Sequence, residues 1–223
     1  MCGITNLEDA IAAAESGAHA LGFIFYRKSP RCVSPEHAAE IIRNLPQRVT
    51  KVGVFVNHDP GEVKEIADTC LLDMIQLHGD ETPEYAENLS GYHIIKAVAP
   101  RSDDIVPGLK RYPASAILVD TYDSRLYGGT GKTANWEAAL RIKEEYPLIL
   151  SGGLHAGNIQ EALRRVSPQA VDVNSGCEQV PGKKDHGKMR EIIEIVRRFD
   201  VDCGKKNTVI FKKARQTARC TAD

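Results

Sequence analysis

This sequence carries no excess charge of either sign, no long apolar run, no paired cysteines and few aromatic residues. Its 29 basic and 30 acidic side chains leave a net charge of -1, which argues against a nucleic-acid partner or an anionic membrane surface. The longest apolar stretches, such as Ala20-Leu21-Gly22-Phe23-Ile24-Phe25, are far too short to span a bilayer. The N-terminus also lacks the charge-then-apolar pattern of a signal peptide, so the expected location is the cytoplasm. Six cysteines (Cys2, Cys32, Cys70, Cys177, Cys203 and Cys220) are scattered without a CxxC pair or finger-like spacing, so neither a disulfide framework nor a zinc site is expected. With aromatics at 6%, the core has to come from the Val, Ile, Leu and Ala that dominate the 42% hydrophobic content.

What the sequence does have is alternation. Short apolar runs that read as buried strands occur at 20–25, 51–56, 73–78, 93–98, 116–120, 148–150 and 170–173, after a stub ending in Cys2. Between and after them, helical spacing predicts helices at 7–15, 37–43, 61–68, 83–89, 103–109, 136–145, 158–166 and 188–199. Start and stop signals agree: Asn6 precedes the first helix, Gly17 follows it, and Ser34-Pro35-Glu36 opens the second in the cap-then-proline manner. Eight strand-helix units with continuously apolar strands predict an α/β fold, a (β/α)8 TIM barrel with a parallel eight-stranded sheet and a truncated first strand, in preference to an open doubly wound sheet. The barrel is expected to occupy residues 1–199 as one domain. Residues 200–223, basic and without sustained amphipathic period, read as a disordered or non-native extension.

In such a barrel the chemistry sits at the C-terminal ends of the strands. Cys2 ends the first, Arg31 follows the second, Gln76-Leu77-His78-Gly79 ends the fourth and Asp120 the sixth. Asp123, three residues on, is a rival acid to Asp120, but it belongs to the loop. Gly152-Gly153 after strand seven and Ser175-Gly176 after strand eight allow backbone N–H groups to approach an anion, which points to a phosphate site. The glycine-rich turn Gly128-Gly129-Thr130-Gly131-Lys132 adds to it but lacks the spacing of a Walker loop.

Several of these stretches resemble one family. Cys2-Gly3-Ile4-Thr5, Gly22-Phe23-Ile24-Phe25-Tyr26 with Ser29-Pro30-Arg31, Val52 to Asn57, Gln76 to Glu81, Gly128 to Gly131 with Trp136, Leu150 to Leu154 and Val171 to Gly176 followed by Pro181 to Asp185 are similar to phosphoribosylanthranilate isomerase. The resemblance implies an Amadori rearrangement in tryptophan biosynthesis, without a cofactor, on a small phosphosugar-anthranilate substrate, by a monomer or homodimer. It implies Asp120 as general acid and Cys2 as general base, Arg31 as the clamp on the anthranilate carboxylate, and phosphate on Gly152, Gly153, Ser175 and Gly176 with Asp172 shaping that loop. His78 is expected either to face the ligand or to serve as a structural hydrogen-bonding group. An acid near neutral pH must hold its proton, whereas a cysteine base must be partly thiolate. A Met1 ammonium one residue from Cys2 is expected to lower the thiol pKa.

A first strand reduced to a stub is expected to leave its two neighbours partly unpaired, which keeps a catalytically impaired, phosphate-ligand-binding barrel as the alternative function. Another phosphosugar isomerase or synthase is disfavoured, because no lysine or glutamate closes a central strand.

Overall fold

The structure is a computed structural model and describes residues 1–100, 109, 111–121 and 135–204. The expected helix at 103–109, apart from Leu109, the glycine turn at 128–132, Asp123 and the tail from residue 205 lie outside the described residues.

Seven strands form one parallel sheet in chain order: β1 (Ala20–Ile24), β2 (Thr50–Phe55), β3 (Met74–Leu77), β4 (His93–Val98), β5 (Ala116–Val119), β6 (Leu148–Leu150) and β7 (Ala170–Val171). Each pairs only with its neighbours in sequence, whereas a doubly wound sheet reverses order at a switch point, so the winding is that of a barrel. Helices α1 (Leu7–Ser16), α2 (Pro35–Arg43), α3 (Pro60–Thr69), α4 (Pro83–Glu87), α5 (Trp136–Glu145), α6 (Ile159–Val166) and α7 (His186–Asp202) fall between and after the strands. Asn6 and Ser34 cap α1 and α2 by accepting from the Asp9 and His37 N–H groups, and Gly17 ends α1 with a left-handed φ of 106°. Helix α7 continues past Phe199 to Asp202.

The apolar strand runs are continuous because both faces are covered. Along β5, Ala116 and Leu118 belong to a cluster with Val52, Met74, Ile95 and Ile149 that fills the barrel, while Ile117 and Val119 join the larger cluster under the helices. Full burial of each Leu or Ile contributes about 1.5–3 kcal/mol, spread over both layers.

The stub closes this sheet more fully than its length predicts. The Met1 ammonium donates to Ala20 O at 2.9 Å, Gly22 N donates to Met1 O at 2.9 Å, and Ile4 N donates to Gly22 O at 3.0 Å. On the other side Cys2 N donates to Val173 O at 3.0 Å, so residues 1–4 bridge β1 to the end of β7. Strand β7 is shorter than the predicted 170–173, yet Asp172 N still donates to Leu150 O of β6 at 2.8 Å while Val173 O accepts from the stub. Below Met1 a cavity of about 870 Å³ opens past Ala20, Thr50 and Ile149 to Ile192 and Val196 of α7.

One element was not legible in the sequence: a small antiparallel hairpin, β8 (Glu178–Val180) and β9 (Lys183–Lys184), between the 3₁₀ turn Ser175–Cys177 and α7. None of the described helices is long and apolar enough to cross a membrane.

Candidate active site

Cys2 is buried where the stub crosses between β1 and β7. Gly22 opposite it has to lack a side chain, since a Cβ there would lie 2.8 Å from Cys2 Sγ. Burial, followed by the Asp172 carboxylate, pushes the Cys2 thiol up from 9.0 to about 12, while Lys184 and the Met1 ammonium pull it down. The expected lowering by the ammonium is therefore present but outweighed, because a thiolate between two strands loses far more solvation than one nearby cation returns.

Asp120 follows β5 and is buried. Its Oδ1 accepts from the Thr121 N–H at 2.7 Å, and its Oδ2 lies 3.3 Å from His78 Nε2. Gln76 Nε2 is 2.8 Å from His78 Nδ1, so the amide donates to Nδ1 and the ring proton sits on Nε2, pointing to Asp120. His78 thus stands between Gln76 and the Asp120 carboxyl, and both roles expected for it, facing the ligand and serving as a structural hydrogen-bonding group, are compatible with that position. The turn after His78 is pinned from below: Glu81 accepts from the N–H groups of Asn57 and Gly79, and Lys96 Nζ bonds both Glu81 Oε2 at 2.8 Å and Gly79 O at 2.7 Å.

Arg31 stands in the β1–α2 loop and is only 8% exposed. Its Nε and Nη2 donate to Glu178 Oε1 and Oε2 at 2.8 and 2.7 Å. The Glu178 carboxylate is the main reason the guanidinium pKa is raised.

Gly152 and Gly153 have φ of 84° and 62°, a left-handed pair that turns the chain out of β6. Gly176 packs so tightly that an added Cβ would sit 1.9 Å from Leu154 O, holding the β6 and β7 loops against each other. Asn158 Nδ2 donates to Gly153 O at 2.9 Å and fixes the first of them. Among the described residues, the N–H groups of Gly152, Gly153, Ser175 and Gly176 donate to no partner, which leaves four donors on adjoining loops.

Residues 1–195 match the family described as N-(5'phosphoribosyl)anthranilate (PRA) isomerase. The chain belongs to this isomerase family. It is 51% identical over 198 residues to the N-(5'-phosphoribosyl)anthranilate isomerase of Syntrophus aciditrophicus, covering 89% of this chain and 86% of that one. The crystal structure of the isomerase from Thermotoga maritima is similar with a TM-score of 0.82 and 42% identity, over 89% of this chain and 97% of that one. A structure of phosphoribosyl anthranilate isomerase in complex with reduced 1-(o-carboxyphenylamino)-1-deoxyribulose 5-phosphate has a TM-score of 0.78 and 40% identity, over 88% of this chain and 96% of that one.

Within this isomerase barrel, Arg31, His78, Asp120 and the two glycine loops follow strand C-termini of one parallel sheet and so share one mouth, while Cys2 lies in the stub, level with Gly22 of β1 and beside Val173. Asp172, expected to shape the phosphate loop, directly follows β7. It lines the interior cavity together with Cys2 and Gln76, its carboxyl pKa is raised by burial, and its charged neighbours include the Met1 ammonium, Asp120, Lys184 and His78. Three residues without an expected role enter the site as partners: Gln76 behind His78, and Glu178 with Lys184 behind Arg31. Gln76 had one readable signal, its place two residues before His78 on the same strand face. Glu178 had none, since it meets Arg31 across 147 residues of sequence.

Proposed function

We propose that this chain is a cytoplasmic isomerase that converts N-(5-phosphoribosyl)anthranilate to 1-(2-carboxyphenylamino)-1-deoxyribulose 5-phosphate, with Asp120 as general acid and Cys2 as general base. The observation that carries this reading is a buried carboxyl at the end of β5 and a buried thiol between β1 and β7 in one barrel, with a guanidinium and four backbone donors that have no partner among the described residues.

The chemistry assigns each group a step. Asp120 gives its proton to the ring oxygen, the C1–O bond breaks, and the anthranilate nitrogen shares its lone pair with C1 as an iminium. The C2 proton next to that cation is acidic, and Cys2, as thiolate, removes it, sending the C2–H electrons into a C1=C2 enolamine. Tautomerisation of the enol oxygen to a ketone and protonation at C1 complete the 1-amino-2-ketose. Burial favours the thiol, so Cys2 has to release its proton to solvent before this step, and the nearby Lys184 and Met1 ammonium are the groups that favour the thiolate. Asp120 is aimed by His78, whose own ring is fixed by Gln76.

The two ends of the substrate fit the rest of the mouth. A carboxylate matches a guanidinium, here Arg31, and a phosphate dianion suits the free N–H groups of Gly152, Gly153, Ser175 and Gly176.

A second reading, a barrel that binds the phosphosugar without turning it over, is favoured by the cavity below Met1 and by the high pKa of Cys2. Following the fluorescence of phosphoribosylanthranilate during turnover, alongside calorimetric binding of the reduced product analogue, separates the two. Turnover with binding supports the isomerase, binding alone supports the second reading, and neither result removes both.

A further inference from the structure

Three buried charges lie in a row beside the candidate site. Arg31, Glu178 and Lys184 are 8%, 7% and 1% exposed, and the Glu178 carboxylate joins the other two. One face of the guanidinium, Nε and Nη2, is taken by both carboxylate oxygens, and Lys184 Nζ adds a bond to Oε1 at 3.1 Å. The hairpin register sets Glu178 opposite Lys184, so one small element delivers the anion and its second cation. That element is itself anchored. The Lys184 N–H donates to Asp9 Oδ2 at 2.8 Å, Nζ reaches Asn174 Oδ1 at 3.0 Å, and Asp9 is held by Asn6 and His186.

Stability alone is a poor reason for such an arrangement, because well-packed apolar residues usually serve a core as well as buried ions do. Orientation is a better one. A flexible guanidinium in a loop samples many rotamers, and the bidentate bond to a rigid partner removes that freedom. Nη1 has no partner among the described residues, so the fork keeps one free end. Two cations and one anion also leave the row with a net positive charge, so Glu178 fixes Arg31 without neutralising the site.

We propose that Glu178, backed by Lys184, is a positioning residue that presents the free end of the Arg31 fork to the carboxylate of the substrate. This rests on the isomerase reading, in which Arg31 meets the anthranilate carboxylate. Glu178 itself touches no reacting atom.

The test is a double-mutant cycle on the full chain, with phosphoribosylanthranilate as substrate and with anthranilate and ribose 5-phosphate as separate inhibitors. Glu178→Gln is expected to raise KM about tenfold with kcat within about threefold, the size expected for losing a charge-assisted bond at a ligand contact. It is expected to weaken anthranilate and leave ribose 5-phosphate unchanged. In an Arg31→Ala background the same substitution is expected to change KM by less than about twofold, since there is no fork left to hold. Glu178→Asp, which keeps the charge but is too short to reach both nitrogens, is expected to fall between the parent and Gln forms. An unchanged KM in folded Glu178→Gln, equal weakening of both inhibitors, or a full effect in the Arg31→Ala background would each overturn the proposal. Loss of folding in both Glu178 variants, read by circular dichroism, would assign the row to stability alone and overturn it too. Failure of the isomerase reading is seen separately, as absence of turnover by the parent chain.

Discussion

Cys2 gives a prediction that needs no substrate. In the unfolded chain its thiol titrates at the ordinary value, and in the folded barrel burial and Asp172 raise it from 9.0 to about 12. A raised thiol contributes stability that is whole below the unfolded pKa and is lost as pH climbs towards the folded one, because between them only the folded state keeps the proton. At about pH 10.5, roughly 1.5 units above the unfolded value, the loss is about 2 kcal/mol at ~1.4 kcal/mol per unit. Urea unfolding of the parent chain and of Cys2→Ala at about pH 8 and about pH 10.5 measures it. Half-buried Tyr85 and buried Tyr112 and Cys70, whose pKa values are also raised by burial, titrate in both proteins and cancel in the difference. The parent is expected to lose about 2 kcal/mol more than Cys2→Ala over that interval. Equal losses would refute the buried-thiol argument, and a smaller loss in the parent would mean that the fold stabilises the thiolate.

Other residues give independent tests. His78→Ala removes the neighbour that positions Asp120 and should lower kcat by about 10- to 100-fold, the size of about 1.4–2.7 kcal/mol of lost transition-state stabilisation, with a much smaller change in KM; steady-state kinetics read the split. Gly176→Ala forces a Cβ against Leu154 O and should destabilise the barrel by about 3 kcal/mol in urea unfolding, with weaker binding of inorganic phosphate in the surviving folded fraction. Lys96→Met leaves the Glu81 carboxylate without its buried cation and should cost about 3–5 kcal/mol, part of which returns in the Lys96→Met/Glu81→Gln double variant, where no ion is buried and the amide oxygen still accepts from the Asn57 and Gly79 N–H groups; urea unfolding reads both.

The barrel was legible because its signals are local. Period, caps and strand ends each depend on a few neighbouring residues, as Asn6 and Ser34 illustrate, and a parallel sheet buried on both faces has to read as continuous apolar runs. What was not legible depends on distance in the chain. The hairpin at Glu178–Lys184 has strands of three and two residues, too short for any period, and it exists because Arg31 and Asp9 meet it from elsewhere in the barrel. The direction of the Cys2 shift follows the same logic: the adjacent ammonium is visible in the sequence, whereas the desolvation that outweighs it arises only when β1 and β7 close around the thiol. The stub was expected to leave its neighbours partly unpaired, yet Met1 to Ile4 reach both, because the backbone bonds alternate between the two sides.

The pairing of Cys2 with Asp120 is tested most directly by single-turnover kinetics on phosphoribosylanthranilate with excess protein, comparing the parent chain with Cys2→Ala and Asp120→Asn. Both variants are predicted to bind the reduced product analogue as the parent does and to lose turnover by about 10²- to 10⁴-fold, the range set by losing a positioned acid or base. Turnover in either variant within about threefold of the parent would contradict the assignment of that residue.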